Sequence, residues 1–178
     1  MACVITSGIN LPCRNVGGVA PEGIFIGQWQ CPGANAMTIG LTSSGEISSF
    51  SGATVSFYQF CQDIEIASLS ETGVVSIENG TAYNEITLTF TVFNFDQTTQ
   101  NLFTSLMNGR WRVLVRSNSG NWYFLGFSNP VNVSDATGGI NKMLGDLNGV
   151  TFTMTAKEAL GILQVTDSAA QSVISYAS

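Results

Sequence analysis

From Asn84 to Phe95 the chain alternates without a break, with Ile86, Leu88, Phe90 and Val92 on one side and Glu85, Thr87, Thr89 and Thr91 on the other. A period of two puts successive side chains on opposite faces of a strand, so the stretch predicts a long β-strand with an apolar face and a threonine face. Such a strand is not stable alone, and the rest of the chain must supply its partners.

Several segments are suited to that. Residues 24–30 (IFIGQWQ) form a short apolar run ended by Pro32-Gly33. The stretch from Ala53 to Ser70 also alternates, but its two faces exchange polarity partway, which predicts a bulge or two halves that meet different neighbours. Gly73 and Asn79-Gly80 separate it from the threonine strand, so the two are expected to pair as a long hairpin. Residues 110–116 and 122–127 form a second hairpin across Asn118-Ser119-Gly120-Asn121. Residues 130–134 and 150–156 are two further strands, joined by a loop containing Gly138, Gly139, Gly145 and Gly149.

The period changes once. After Asp96, Leu102, Phe103, Leu106 and Met107 recur at three and four residues, predicting a helix from Asp96 to Asn108. Asp96 or Thr98 caps its start, and Leu102, Phe103 and Leu106 seal it against the sheets. The fold class is therefore mainly β: a two-sheet sandwich or partly closed barrel with one flanking α-helix, long loops and terminal arms. A length of 178 residues fits a single domain. We expect it to span 1–163, with an N-terminal arm over about 1–23 and a C-terminal arm over 164–178. In that arm Val173, Ile174 and Tyr176 are the apolar groups available to a neighbouring copy.

Charge and composition narrow the function. Only 10% of residues are charged, against roughly 25% in ordinary soluble domains, which predicts a surface covered by something else. The chain has no His, which removes Ser-His-Asp and Cys-His catalysis and His-ligated metals. A net charge of −6 is the wrong sign for gripping phosphates. No apolar run is long enough for a membrane span, and the opening lacks the basic and apolar regions of a signal peptide, so a soluble chain made in the cytoplasm is expected. Cys3, Cys13, Cys31 and Cys61 are too widely spaced for a zinc knuckle and are expected to be buried thiols, with a Cys3–Cys13 bridge as the lesser alternative.

The remaining candidates divide into faces and turns. Asp63 and Glu65, two apart on one predicted strand face, are expected to be solvated or at an interface. Arg110, Arg112 and Arg116 hold half of the positive charge within seven residues, and in an acidic chain they fit carboxylates of a neighbouring subunit better than nucleic acid. Thr87, Thr89 and Thr91 are expected to face a lumen or a subunit boundary. Asp135, Asp146 and Asn148 do not make up a calcium loop, Gly138-Gly139 is no phosphate cradle, and the sequons at Asn79 and Asn132 are chance matches. The nucleophile, base and metal sets are all incomplete, so no enzyme activity and no cofactor are expected.

The opening MACVITSGINLPCRNVGG, the Trp122-Tyr-Phe-Leu-Gly126 stretch and the Gly145-Asp-Leu-Asn-Gly149 element before a Thr-rich strand, taken in that order, resemble the tail-tube-like virion structural proteins of bacteriophages. That resemblance implies subunits that self-assemble into rings, usually hexameric. The rings stack with other phage tail proteins into a tube, and DNA passes transiently and non-specifically through its lumen during genome ejection. It places the protein in the virion tail after synthesis in the host cytoplasm. Another tail or connector component on the same fold is one alternative. The other is a glycan-binding adhesin using Trp29, Trp111 and Trp122 as stacking platforms.

Overall fold

The computed structural model describes residues 16–31, 36–52, 56–94, 96–140 and 147–175. Its main elements are β1 (Val19–Gln28), β2 (Thr38–Leu41), β3 (Ile47–Ser51), β4 (Phe57–Phe60), β5 (Ser68–Ser76), β6 (Thr81–Phe93), α1 (Gln97–Asn108), β7 (Trp111–Ser117), β8 (Trp122–Leu125), β9 (Asn132–Ile140), β10 (Asn148–Glu158), β11 (Leu163–Val165), α2 (Asp167–Gln171) and β12 (Ile174–Ser175). They form an eight-stranded sheet in the order β12-β4-β1-β7-β8-β11-β3-β2 and a four-stranded sheet in the order β5-β6-β10-β9.

The threonine strand is β6, at the centre of the smaller sheet. Its Ile86, Leu88 and Phe90 are fully buried and meet Val150, Phe152 and Met154 of β10 in a common core. Ile24 and Ile26 of β1 and Val113 and Val115 of β7 close that core from the larger sheet. The helix lies beside it. Asp96 caps α1 by accepting the Thr99 N–H at 2.8 Å, Leu106 is buried, and Leu102 and Phe103 are half-buried against the core. The Trp111 indole N–H then donates to the Leu106 carbonyl at 2.8 Å, fastening the helix end to β7.

The larger sheet is covered on both faces. Phe25 of β1, Leu114 of β7 and Trp122 and Phe124 of β8 point away from the first core into a second one. Phe50 of β3 and Phe57 of β4, near opposite ends of the strand order, lie 6.5 Å apart across it, and Phe50 lies 5.4 Å from Phe124. The sheet is therefore rolled around this aromatic cluster.

Four expectations are corrected. The 53–70 stretch is not one strand: its two ends do meet different neighbours, β4 in the larger sheet and β5 in the smaller, but residues 61–67, where the polarity changes, connect them outside any strand. The hairpin partner of β6 is β5, with Gly73 inside the strand opposite Asn84 and with the turn at Ile77–Gly80, where Gly80 has φ of 61°. Gly138 and Gly139 belong to β9 and pair with Val150 and Gly149, so they are strand rather than loop. Residues 164–175 are no arm. β11 pairs with β8 and β3, β12 pairs with β4, and Val165, Ala169 and Ala170 are buried in the second core. These residues are small, and their contribution comes from filling the end of the rolled sheet. At the other terminus, residues 19–23 are part of β1, and the rest of the proposed arm, with Cys3 and Cys13, lies outside the described residues except for Val16–Gly18.

Candidate functional site

The outward face of the smaller sheet is built from hydroxyls. Cross-strand partners share a face, so Ser68, Thr89, Thr153 and Asp135 make one row and Ser70, Thr87, Thr155 and Asn132 a second. Thr91, Thr151 and Thr137 make a third, and beyond the second row Glu85 pairs with Lys157 at 3.8 Å. Thr87 and Thr89 are half-buried. Thr91 is buried, which takes it off any lumen or boundary: its hydroxyl lies 2.9 Å from that of Thr151 and its N–H donates to the Gln62 side-chain carbonyl at 2.8 Å. Gln62 supplies the acceptor that a strand would give just past the start of β5, while its own N–H donates to Pro21 of β1 at 2.7 Å.

The β5–β6 hairpin runs on past the core. No residue from Ser70 to Glu85 is buried, and Val75 and Ile77 near its end are 70% and 93% exposed. Both edges of the smaller sheet, β5 and β9, carry no further strand among the described residues.

The other predicted residues separate. Asp63 and Glu65 are exposed but lie in the turn between β4 and β5, where Glu65 has φ of 65°, and not on a strand face. Arg110 and Arg116 are exposed, and Arg116 lies over the Trp122 ring at 5.6 Å. Arg112 is only 5% exposed, so it is not a surface partner for a neighbouring subunit. Val173 and Ile174 are half-buried on the chain's own second core, and Tyr176 lies outside the described residues. Trp122 is buried, and Trp29 and Trp111 are half-buried, so they form no row of exposed stacking platforms. Cys31 and Cys61 are exposed, contrary to the expectation of buried thiols. Asp135 and Asn148 sit in strands, and Asp146 and Gly145 lie outside the described residues. Among the described residues no cluster of three or more His, Cys, Asp or Glu could hold a metal ion, and no helix is long and apolar enough to cross a membrane.

One constellation escaped the sequence reading. Val150, Phe152, Met154 and Ala156 face inward, and the same alternation carries the Glu158 carboxylate inward as well, leaving it 2% exposed. It accepts the backbone N–H groups of Ser128 and Asn129 at 3.2 Å. Those groups reach it because Gly126 turns the chain at the end of β8 with φ of 92°, where a Cβ would sit 3.2 Å from Arg112. Burial raises the Glu158 carboxyl above its ordinary value, against the pull of the Asn129, Ser128 and Phe127 N–H groups and of Arg112. Burial likewise lowers Arg112, with Glu158 opposing it. Charge at an inward strand position was the available signal.

Arg112 lines a cavity of about 270 Å³ together with Gln30, Ala36, Met37, Ile39, Phe127 and Ser128. A larger cleft of about 500 Å³ between the sheets is lined mainly by Ala67, Leu69, Val115, Tyr123 and Ile162 and holds no buried unpaired side-chain polar atom among the described residues. Comparison of the chain with protein-family models, with curated proteins and with solved structures finds no match.

Proposed function

We propose that the protein is a self-assembling structural subunit of a tail-tube type, whose copies join into rings, hexameric by analogy with the family it resembles, that stack around a channel for a phage genome. The observation that carries this is the smaller sheet: without a further strand at either edge among the described residues, hydroxyl-covered on its outward face and extended by a hairpin with exposed apolar residues. Edge strands present unpaired backbone groups that a neighbouring copy satisfies by continuing the sheet. A wall of Ser and Thr with its one described lysine paired to a carboxylate is hydrated and offers DNA few phosphate anchors. Val75 and Ile77 suit the apolar contact between one ring and the next. The motif resemblance supplies the phage context, and another tail or connector position uses the same geometry.

The test is sedimentation velocity and negative-stain electron microscopy of the purified chain over a range of concentrations. Rings or tubes are expected, and the double variant V75K/I77K should shift the population toward single subunits without unfolding them. A monomer at every concentration, with no annular particles, overturns the proposal.

A further inference from the structure

The chain contains the pair Asn-Gly three times, at Asn79, Asn108 and Asn148, and the fold treats the three differently. In such a pair the glycine nitrogen can attack the asparagine side-chain carbonyl carbon, because no Cβ on the glycine obstructs the approach and its backbone turns freely. The attack needs a backbone that can rotate and a glycine N–H that is not held. Asn108 fails on both counts: its amide donates to the Thr104 carbonyl at 2.9 Å and the Gly109 N–H donates to Ser105 at 3.1 Å. The Trp111 ring, packed against Gly109, leaves no room for a side chain there. Gly149 is buried in β10, paired with Phe93 of β6 and Gly139 of β9, and the Asn148 carbonyl accepts the Asn94 N–H at 3.0 Å.

Asn79 and Gly80 are both exposed, in the turn that closes the β5–β6 hairpin. The Gly80 N–H reaches the Ile77 carbonyl at 3.4 Å, longer than the roughly 2.7–3.2 Å of a good N–H to oxygen bond. Nothing lies within 4 Å of the place a Cβ on Gly80 would take. The Asn79 amide donates to the Ser76 hydroxyl at 3.1 Å, a surface bond that water can replace.

We infer that Asn79 is a self-modification site, at which the chain converts its own asparagine to aspartate and isoaspartate with water as the co-reactant. The Gly80 nitrogen gives its proton to hydroxide and forms a bond to Asn79 Cγ. The bond from Cγ to Nδ2 breaks, and ammonia leaves with a proton taken from water, closing a cyclic imide. Water then adds to either imide carbonyl and reopens the ring. One opening gives aspartate, and the other gives isoaspartate, whose main chain runs through Cβ. The net reaction exchanges an amide for a carboxylate and involves no oxidation or reduction. Either product sets a second negative charge beside Glu78, at the end of the hairpin that carries Val75 and Ile77. The modification follows from the geometry of a single chain and does not depend on ring assembly.

The test is incubation of the full chain at physiological temperature in mildly acidic and mildly alkaline buffers made with heavy-oxygen water, followed by peptide mass spectrometry. In the folded chain Asn79 should convert at least tenfold faster than Asn108 or Asn148, with label in the product. The rate should rise with pH, because the Gly80 nitrogen must lose its proton. In concentrated urea, where the helix and the sheet no longer hold Gly109 and Gly149, the three rates should converge. Gly80→Ala should slow conversion at Asn79 at least tenfold and leave the other two sites unchanged. Equal rates at the three sites in the folded chain, faster conversion at Asn108 or Asn148, a rate independent of pH, or no effect of Gly80→Ala overturns the inference.

Discussion

Gln62 accepts the backbone N–H of Thr91 at 2.8 Å while its own backbone N–H donates to Pro21 at 2.7 Å, so one residue of a connecting segment is bonded to a strand in each sheet. The bond to Thr91 is buried, and water cannot replace the acceptor when the side chain is removed.

Gln62→Ala is therefore expected to destabilise the fold by roughly 1–3 kcal/mol, the cost of stranding a buried donor. Thr91→Val removes the hydroxyl contact with Thr151 but leaves the N–H bonded, and should cost about 1 kcal/mol. Urea unfolding monitored by tryptophan fluorescence measures both. A larger loss for Thr91→Val than for Gln62→Ala would contradict this assignment.

Two carboxylates titrate in opposite senses. Thr99, chiefly through its N–H and then its hydroxyl, holds Asp96 below its ordinary value. The Asp96 contribution is fully present above the unfolded-state value and is lost as pH falls through the lowered folded value. Asp96→Asn keeps a capping oxygen without titrating, so its stability relative to the wild type should improve on acidification. Glu158 is raised by burial, so the wild type loses stability as pH rises from the ordinary carboxylate value through the raised one. Glu158→Gln should gain on the wild type over that rise. Melting temperature against pH for the three proteins checks both signs.

Deleting residues 164–178 removes all of β11 but Leu163, together with α2 and β12, and with them Val165, Ala169 and Ala170 from the second core. The expected cost exceeds about 5 kcal/mol, beyond most single core truncations, and is comparable with the whole stability of a typical domain. The truncated chain should lose its near-ultraviolet circular dichroism and its cooperative urea transition. Retention of both would show that the segment is dispensable to the fold.

The strand β6 was legible because one of its faces is buried and the other is polar, which is the condition under which alternation appears in sequence. The Asp96 cap was legible because it is local, lying three residues from its donor. The larger sheet was harder to read. In β7, Val113, Leu114 and Val115 are all apolar because the two faces enter different cores, so alternation marks neither face. The parallel pairings of Val165 with Ile47 and of Ile174 with Phe57 join distant segments and leave no local trace. Ala169 and Ala170 carry little hydrophobic signal although both are buried. At the candidate cavity, Arg112 was visible as one of a charge cluster, but its burial depends on Gly126, Phe127 and β2 arriving from elsewhere in the chain.

The larger sheet, with a core on each face, also governs how the molecule comes apart. Ile24 and Phe25 are sequence neighbours in β1 that serve different cores, as are Val113 and Leu114 in β7. Dissolving either core strips one side of the strands that support the other. A half-molten species with one core intact would have to keep these strands flat and paired while a row of aliphatic or aromatic side chains faced water. The two cores therefore stand or fall together, and the strands they share leave no seam between them along which one could melt before the other.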